Sequence, residues 1–404
     1  MLRFILSDLA RQRGGAMVML LLVALAVALG VGVTLQERAL RLGSARAAER
    51  FELVIGAPGS ETQLVLSTVF LQAAALPLLD GDVLAALQDD PRVEWAAPIG
   101  LGDFHQGHPV VGTTLRMIGE TAGGLAEGRL FARTGEAVIG AQVALEPGAD
   151  ITPSHGQVEQ GGLVHDALRY RVVGRLKPTG TAWDRAILVP IRSVWGGHGM
   201  SSEDAHDHAA FAPGAGLDER FHPGETPGLP AILVKPASIA DAYALRQDYR
   251  GNSGKLAVFP AEVLTGIYAL LGDARRVLSA VALGVQVLVA AALLMVTVIH
   301  VGQRRRQIAA LRAFGAPRGA VFALVWAELL LISVAGIAAG FAGGWIAARW
   351  LSDLVSARQG FALPIEWSAA EAATLGLLLV AAALLAAVPA LIAYRRPPGL
   401  QLRA

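Results

Sequence analysis

The chain has 404 residues, of which 54% are hydrophobic and 17% charged, and its formal net charge is +1. A mean hydropathy of +0.50 is too high for an ordinary soluble protein but too low for a wholly embedded one. The near-neutral charge gives no electrostatic reason to expect a nucleic-acid partner. Cysteine is absent, which excludes disulfides, cysteine-type zinc sites and thiol catalysis.

The N-terminal segment combines arginines with a long apolar run. Residues 1–15 carry Arg3, Arg11 and Arg13 and are predicted to form a short helix on the cytoplasmic membrane surface. Residues 16–35 contain no charge and reach the ~20 residues that a membrane-spanning helix needs. A cleaved signal peptide is the alternative, but its apolar core would be only about 7–15 residues long. The run continues into a helix-favouring stretch at 36–51, so an uncleaved anchor is predicted, with the N-terminus in the cytoplasm.

Residues 36–276 are predicted to form a large extracytoplasmic α+β domain. Four segments rich in valine, isoleucine and alternating apolar positions predict strands: Arg92–Pro98, Ala137–Ile139, Tyr170–Leu176 and Ala186–Val189. Three segments are predicted to be helices: Asp80–Asp90, which begins with an acidic cap and is followed by Pro91, Ser238–Tyr249, and Pro260–Leu271, which continues into the membrane. The Gly/Pro/His/Asp-rich stretch Ser193–Gly228 predicts a long irregular loop.

One internal segment, Leu64–Leu79, is apolar enough to suggest a further span. It is short for that role and contains Ser67, Thr68, Gln72 and Pro77. A buried core segment is therefore favoured over a span, and the alternative is an apolar surface that meets lipid or an apolar cargo.

The C-terminal third alternates apolar runs with arginine-rich segments. Spans are predicted at 277–299, 320–347 and 370–394, which with the first gives four membrane helices. The basic segments at 300–319 and 395–404 are expected in the cytoplasm, and 348–369 is expected to be a short external loop. Gly336, Gly340 and Gly344 repeat at four-residue spacing, a pattern that lets another helix approach closely.

The segment 300–319 is both basic and amphipathic. It is predicted to be helical from Gln303 to Phe314 and to end at Gly315 and Pro317. Such a helix on the inner membrane surface could contact a soluble partner, and the alternative is a plain loop that only fixes orientation. The candidate contact residues are Arg304, Arg305, Arg306, Ile308, Leu311, Arg312 and Phe314.

Glu328 is the one acid well inside a predicted span. Acids in a membrane interior are costly and are usually paired or functional. A structural hydrogen bond is favoured over a proton relay, because a relay would need further acids deep in the spans.

Eight of the nine histidines lie in the predicted extracytoplasmic domain, and the densest group is GHGMSSEDAHDH. Imidazole binds zinc, copper and nickel well, and carboxylates can complete such a site. A weak zinc-type site is therefore one hypothesis, with ligands His165, His198, His206 and His208. The alternative is a solvated loop, because the spacing matches no known zinc pattern.

Enzyme motifs are missing from the sequence. It contains no phosphate-binding Gly-x-x-x-x-Gly-Lys-Ser/Thr loop, no Gly-x-Ser-x-Gly elbow and no His-Glu-x-x-His helix. The chain is therefore not expected to be an enzyme or to hydrolyse ATP itself.

Three segments resemble the MacB/FtsX-like family of ABC transporter permeases. RRRQIAALRAFGAPRGAVFALVWAE at Arg304–Glu328 is similar to the family's loop between its second and third spans. FELVIGAPGSETQLVLS at Phe51–Ser67 and the segment Ser154–Val189 resemble one bacterial branch of the family. After Thr68 the sequence VFLQAAALPLLDGD departs from that branch.

The resemblance implies a multi-pass protein of the bacterial inner membrane with both termini in the cytoplasm. It implies a dimer of permeases, homomeric or heteromeric, in the lipid bilayer, with a cytoplasmic ATPase that binds ATP and magnesium and a periplasmic adaptor as a further partner. In the family the basic inner helix docks on the ATPase, and motion reaches the outer domain through stalk helices, here Gln36–Phe51 and Pro260–Leu271.

Three functions remain open from the sequence. The first is a permease for ATP-driven export or extraction of a cargo. The second is an FtsX-like regulatory protein that activates an extracytoplasmic partner, and the third is a transition-metal transporter or sensor. Fold alone does not separate them.

Overall fold

A computed structural model describes residues 13–155, 163–164, 169–199, 214–251, 254–269 and 315–395, and seven further positions between 280 and 295. The chain divides into two compact units. The first, called the helical unit, comprises Met1–Leu40, Leu271–Ser352 and Pro364–Ala404. The second, called the α+β domain, comprises Arg41–Leu270 and Asp353–Leu363.

Eight named α-helices are described, and residues 260–269 begin a further one. Their bounds are α1 Arg13–Ala48, α2 Glu61–Thr68, α3 Asp82–Gln88, α4 Leu115–Thr121, α5 Ile191–Gly197, α6 Ile239–Gly251, α7 Arg318–Gln359 and α8 Ala369–Arg395. Side chains just before several helices explain where they begin: Ser60, Thr114 and Ser238 each accept a hydrogen bond from a backbone N–H in the first turn that follows.

Twelve strands are described, all in the α+β domain. Their bounds are β1 Leu53–Gly56, β2 Val93–His105, β3 His108–Thr113, β4 Leu125–Gly128, β5 Glu136–Ile139, β6 Asp150–Ile151, β7 Ser154–His155, β8 Leu163–Val164, β9 Tyr170–Leu176, β10 Ile187–Pro190, β11 Ala231–Pro236 and β12 Leu256–Val258. The main path of the sheet runs β12-β1-β11-β2-β3-β10-β5-β9-β4, with β6 added on β9 and β7 on β2. The pairs β3–β10 and β5–β9 are parallel, and the other described pairs are antiparallel.

Two hydrophobic cores are found among the described residues of the α+β domain. In the first, Leu84 of α3 and Leu245 of α6 pack with Leu53 and Ile232 of the sheet. In the second, Ile139, Tyr170, Val172 and Ile187 pack together, all of them at most 1% exposed. The 13-residue strand β2 pairs with β11 on one side and β3 on the other and so joins both halves of the sheet.

The predicted helices and strands of this domain are found near their expected positions, so its mixed α and β character is confirmed. Two differences are instructive. Strand β2 continues to His105 instead of stopping at Pro98. The predicted loop at Ser193–Gly228 begins as helix α5, which ends at Gly197.

The apolar segment Leu64–Leu79 contains only the end of the eight-residue helix α2, so it is not a span. Leu64 and Val65 are buried, as predicted for a core segment. The core prediction fails for its second half, because residues 72–78 are mostly exposed and Leu78 is 55% exposed.

In the helical unit, three described helices are long and apolar enough to cross a membrane: α1, α7 and α8. They contain the predicted first, third and fourth spans. In the segment predicted as an external loop at 348–369, the first part is helical, because α7 continues to Gln359; its external location stays a prediction. No glycine or proline interrupts the sequence between Gly344 and Gly360, where a φ of +81° ends the helix.

Several predicted segments lie outside the described residues. They are residues 1–12, most of the second span at 277–299, the basic segment as far as Phe314 and the tail from residue 396. The predicted count of four spans therefore stays a prediction, with three candidates present among the described helices.

Candidate functional site

Three glycines of α7, Gly336, Gly340 and Gly344, face α1 at very short range within the helical unit. A Cβ atom at Gly336 would lie 2.8 Å from Val23 Cβ, and one at Gly344 would lie 2.7 Å from the Ala28 carbonyl oxygen. A Cβ at Gly340 would overlap the carbonyl oxygen of Ala24. The three glycines therefore lie where a side chain would separate the helices.

Buried acids occupy two places in the helical unit. Glu328 of α7 is 5% exposed. The second acid, Glu371 in the first turn of α8, is ion-paired with Arg38 at 2.6 Å and accepts hydrogen bonds from Ser368 N and Oγ. Sequence reasoning missed this acid, although Ser368 and Glu371 have the Ser-x-x-Glu spacing of a capping box.

A cluster of one carboxylate and two imidazoles lies in the α+β domain. It consists of Asp103, His155 and His198, whose candidate donor atoms all lie within 4.8 Å of one another. Asp103 Oδ1 is 3.5 Å from His155 Nδ1 and 3.4 Å from His198 Nε2. The two rings meet edge to face, with centroids 5.5 Å apart.

The sheet brings Asp103 and His155 together. They are direct cross-strand partners in the antiparallel pair β2–β7, and directly opposed residues have neighbouring side chains. The register of β2 against β3 shifts between Gly100 and Asp103, and Gly102 has a φ of +134° that favours glycine. Such bulges change where the side chains of a strand point.

His198 reaches the cluster from the end of α5. It is the C-cap residue of that helix, and its Nδ1 lies 2.9 Å from the carbonyl oxygen of Val194. Gly199, with a φ of +63°, follows and ends the helix in the left-handed conformation. The helix end thus fixes the imidazole with Nε2 directed at Asp103.

Charge and burial distinguish the three side chains. Asp103 is 2% exposed, whereas the His155 side chain is 63% exposed, so the cluster has a buried side and an open side. The Asp103 carboxylate raises the pKa of His198 above its ordinary value, against the opposing effect of burial. Burial, together with the charge of Asp103, also raises the pKa of the Tyr170 hydroxyl.

Of the four predicted metal ligands, His198 alone is among the described residues. His198 belongs to the cluster, while His165, His206 and His208 lie outside the described residues. Asp103 and His155 were missed, because nothing in the local sequence shows that β2 pairs with the two-residue strand β7. The positions predicted to contact an ATPase, Arg304 to Phe314, also lie outside the described residues.

The segment Lys177–Ala186 contains a tight turn that is held by Asp184. Asp184 is 2% exposed and accepts hydrogen bonds from Thr179 N, Thr179 Oγ1 and Gly180 N at 2.7–2.8 Å. Gly140 packs against the backbone of Asp184 so closely that a Cβ would overlap it. The turn is therefore fixed by polar contacts on one side and by a glycine on the other.

Comparison with known proteins gives one family match. The model of the FtsX-like permease C-terminal domain matches residues 279–398. This segment contains the predicted basic loop and the last two apolar helices. Over this segment the chain is similar to the FtsX-like permeases. No curated protein matches the chain.

Two solved structures are similar to part of the chain. The periplasmic region of MacB from Actinobacillus actinomycetemcomitans is 10% identical, with a TM-score of 0.34, and the match covers 56% of this chain and 97% of that one. The extracellular domain of the noncanonic ABC-type transporter YknZ from Gram-positive bacteria is 11% identical, with a TM-score of 0.30. That match covers 51% of this chain and 98% of that one.

Proposed function

We propose that this chain is the permease subunit of an ABC-type transport system of the bacterial inner membrane. Its role is to transmit ATP-driven motion from a separate cytoplasmic ATPase to the α+β domain, for export or extraction of a cargo. The observation that carries the proposal is the FtsX-like permease match over residues 279–398. The three long apolar helices support a membrane location.

The arginine distribution supports the proposed orientation. Basic residues cluster before α1, between the predicted second and third spans, and after α8. By the positive-inside rule all three clusters belong in the cytoplasm, which places both termini there and the α+β domain outside. A cytoplasmic segment at 300–319 could then meet the ATPase, and a second permease copy would complete the transporter.

Helix α1 supports a mechanical role. It runs for 36 residues without a break, well beyond the ~20 residues needed to cross a membrane. The extra turns from Gln36 to Ala48 correspond to the first of the two proposed stalk helices. A continuous hydrogen-bonded helix can transmit displacement better than a flexible linker, because its backbone has little freedom to absorb it.

The decisive experiment reconstitutes the full chain in lipid nanodiscs with an ABC-type ATPase from the same organism as the proposed partner. ATP hydrolysis is measured with and without the permease, for the wild type and for the double variant Arg305→Glu/Arg312→Glu. We expect the permease to alter the hydrolysis rate, and the charge reversal to remove this effect by weakening contact with the ATPase.

The matched control is Arg116→Glu/Arg220→Glu, which reverses two exposed arginines of the α+β domain. This control should leave the ATPase response unchanged. An ATPase that neither binds the wild-type chain nor changes its rate in its presence would contradict the proposed function.

A further inference from the structure

We propose that Asp103, His155 and His198 form a transition-metal site of the zinc class in the α+β domain, with one coordination position open to solvent. The site differs from the histidine-rich segment indicated by the sequence and shares only His198 with it. The proposal stands independently of the transport role, because it rests on the geometry of one domain.

Two of the three distances between the donor atoms match those of ligands that share a metal ion, and the third is within 4.8 Å. Two ligands that each lie 2.0–2.2 Å from a tetrahedral zinc are about 3.3–3.6 Å from each other. The two separations from Asp103 Oδ1, 3.5 Å to His155 Nδ1 and 3.4 Å to His198 Nε2, fall in this interval. They exceed the 2.7–3.2 Å of ordinary N–H···O hydrogen bonds.

The hydrogen bond of His198 selects the tautomer that a metal requires. Its Nδ1 is 2.9 Å from the Val194 carbonyl oxygen, which can only accept, so Nδ1 carries the proton. In neutral imidazole this leaves the Nε2 lone pair directed at Asp103. Metal-binding histidines commonly donate their other ring N–H to a backbone carbonyl in this way, which fixes the ring.

Positive charge beside the buried carboxylate of Asp103 is favourable. Its side chain is 2% exposed, and burying a carboxylate is costly without compensating charge. A protonated His198 would supply one positive charge, and in that arrangement Nε2–H donates to Asp103 and no metal binds. A divalent ion supplies two charges and leaves both imidazoles neutral, and experiment can distinguish the two arrangements.

The donor set indicates which ions would bind. Two imidazoles and one carboxylate suit zinc, copper or nickel, whereas calcium and magnesium prefer oxygen ligands alone. Three protein ligands with a fourth position left to water or a further ligand is the pattern of zinc sites that bind or activate a small molecule. The exposed His155 provides the route by which an ion would enter and leave.

The local backbone is shaped for this contact. A Cβ atom at Gly102 would lie 3.6 Å from His155 Cε1, so the imidazole lies directly beside the glycine that precedes Asp103. The φ of +134° at Gly102 is strained for any other residue. This bulge therefore places the carboxylate and the exposed ring side by side.

The test uses the full chain, purified in nanodiscs and stripped with a chelator. Zinc is titrated in competition with a chromophoric chelator, and cobalt is titrated while its visible absorption is recorded. We expect one zinc per chain and the intense cobalt absorption of a tetrahedral site. His155→Gln, His198→Gln and Asp103→Asn should each weaken zinc binding at least about tenfold, because even loss of an outer-shell partner has an effect of that size.

Three controls keep the result interpretable. His222→Gln removes an exposed histidine of the same domain and should leave binding unchanged. Circular dichroism and the melting temperature of the metal-free variants show whether they fold.

Zinc binding that survives in the variant carrying all three substitutions, at Asp103, His155 and His198, would overturn the proposal. If that binding is then lost in His206→Ala/His208→Ala, the metal belongs to the histidine-rich segment instead. Failure of the folded wild type to bind zinc would overturn the proposal in favour of the protonated His198 pair.

Discussion

The helical unit and the α+β domain are stabilised in different ways. In the helical unit, α7 packs closely against α1 because Gly340 has no side chain. A side chain at this position would overlap the backbone of Ala24. In the α+β domain, buried polar groups hold the turns, as Asp184 does with three hydrogen bonds. In a membrane, apolar surface gains little from burial against another helix, so close backbone approach matters more. In water, an unsatisfied buried donor is the greater cost.

The largest expected effect tests the glycine contact. Gly340→Val places a branched side chain against the carbonyl of Ala24 and against Val27. Because the nearest obstacle is backbone, the helices must separate, and we expect a loss of about 3 kcal/mol, the upper end for overpacking. Thermal melting of the full chain in nanodiscs would measure it.

Gly343→Val is the matched control. It makes the same change on the same helix, where a Cβ would meet nothing within 4 Å. Both variants carry the same change in helix propensity, so only the contact differs. Equal melting temperatures for the two would show that the close approach of α7 to α1 is not what stabilises the unit.

The intermediate effect tests the polar turn. Asp184→Asn keeps the shape of the side chain but turns one acceptor into a donor. If the amide nitrogen faces Gly180 N–H, that hydrogen bond is lost. If it faces Thr179, the bond from Thr179 N–H is lost, while Thr179 Oγ1 can instead accept from the amide. We expect a loss of about 2 kcal/mol in urea unfolding of the α+β domain. Asp150→Asn, at an exposed position, should change it far less.

The smallest effect concerns a surface ion pair and its pH dependence. The Arg129 guanidinium holds the pKa of Glu136 at about 2. Since the folded pKa lies below the unfolded value near 4.5, the stabilisation is full above pH 4.5 and is lost as the pH falls toward 2. Glu136→Gln should lower the melting temperature by no more than about 4 °C at pH 7.

The pH profile is the check on that prediction. The difference between wild type and Glu136→Gln should shrink as the pH falls from 4.5 toward 2. A difference that stays constant over this interval would show that Arg129 does not stabilise the ionised carboxylate. Raising the salt concentration at pH 7 should also reduce the difference, because exposed charges are screened.

Local sequence patterns predicted most elements but not all their ends. Strand β2 was expected to stop at Pro98, before Gly100 and Gly102. In the structure both glycines lie within the strand, which passes through a bulge. The end of α7 was also misplaced, because the apolar run fades near residue 347 whereas the backbone signal that ends the helix is Gly360.

The Asp103 cluster shows why sites are harder to predict than elements. His198 was noted because histidines are dense around it, yet its nearest partners come from β2 and from the two-residue strand β7. Strands this short have no detectable periodicity, so their pairing depends on the rest of the sheet. Density along the sequence therefore identified one ligand and could not identify the other two.

One feature of the α+β domain bears on how the protein is made. Part of this domain, Asp353–Leu363, follows the predicted third span in the sequence. Within the domain, Ala362 N donates to the Gly180 carbonyl at 3.0 Å, and Phe361 meets Phe70 edge-on with ring centroids 5.5 Å apart. A Cβ at Gly43 would overlap the Ala362 carbonyl, so the segment Asp353–Leu363 packs closely against the rest of the domain.

The segment Asp353–Leu363 is translated after the rest of the α+β domain. When residue 270 has been synthesised, Phe70 and the Gly180 carbonyl still lack the partners that Phe361 and Ala362 provide. The domain can therefore reach its final fold only after α7 has been translated, so maturation of the domain is tied in time to insertion of that helix. A fragment ending at residue 270 would lack both of these contacts.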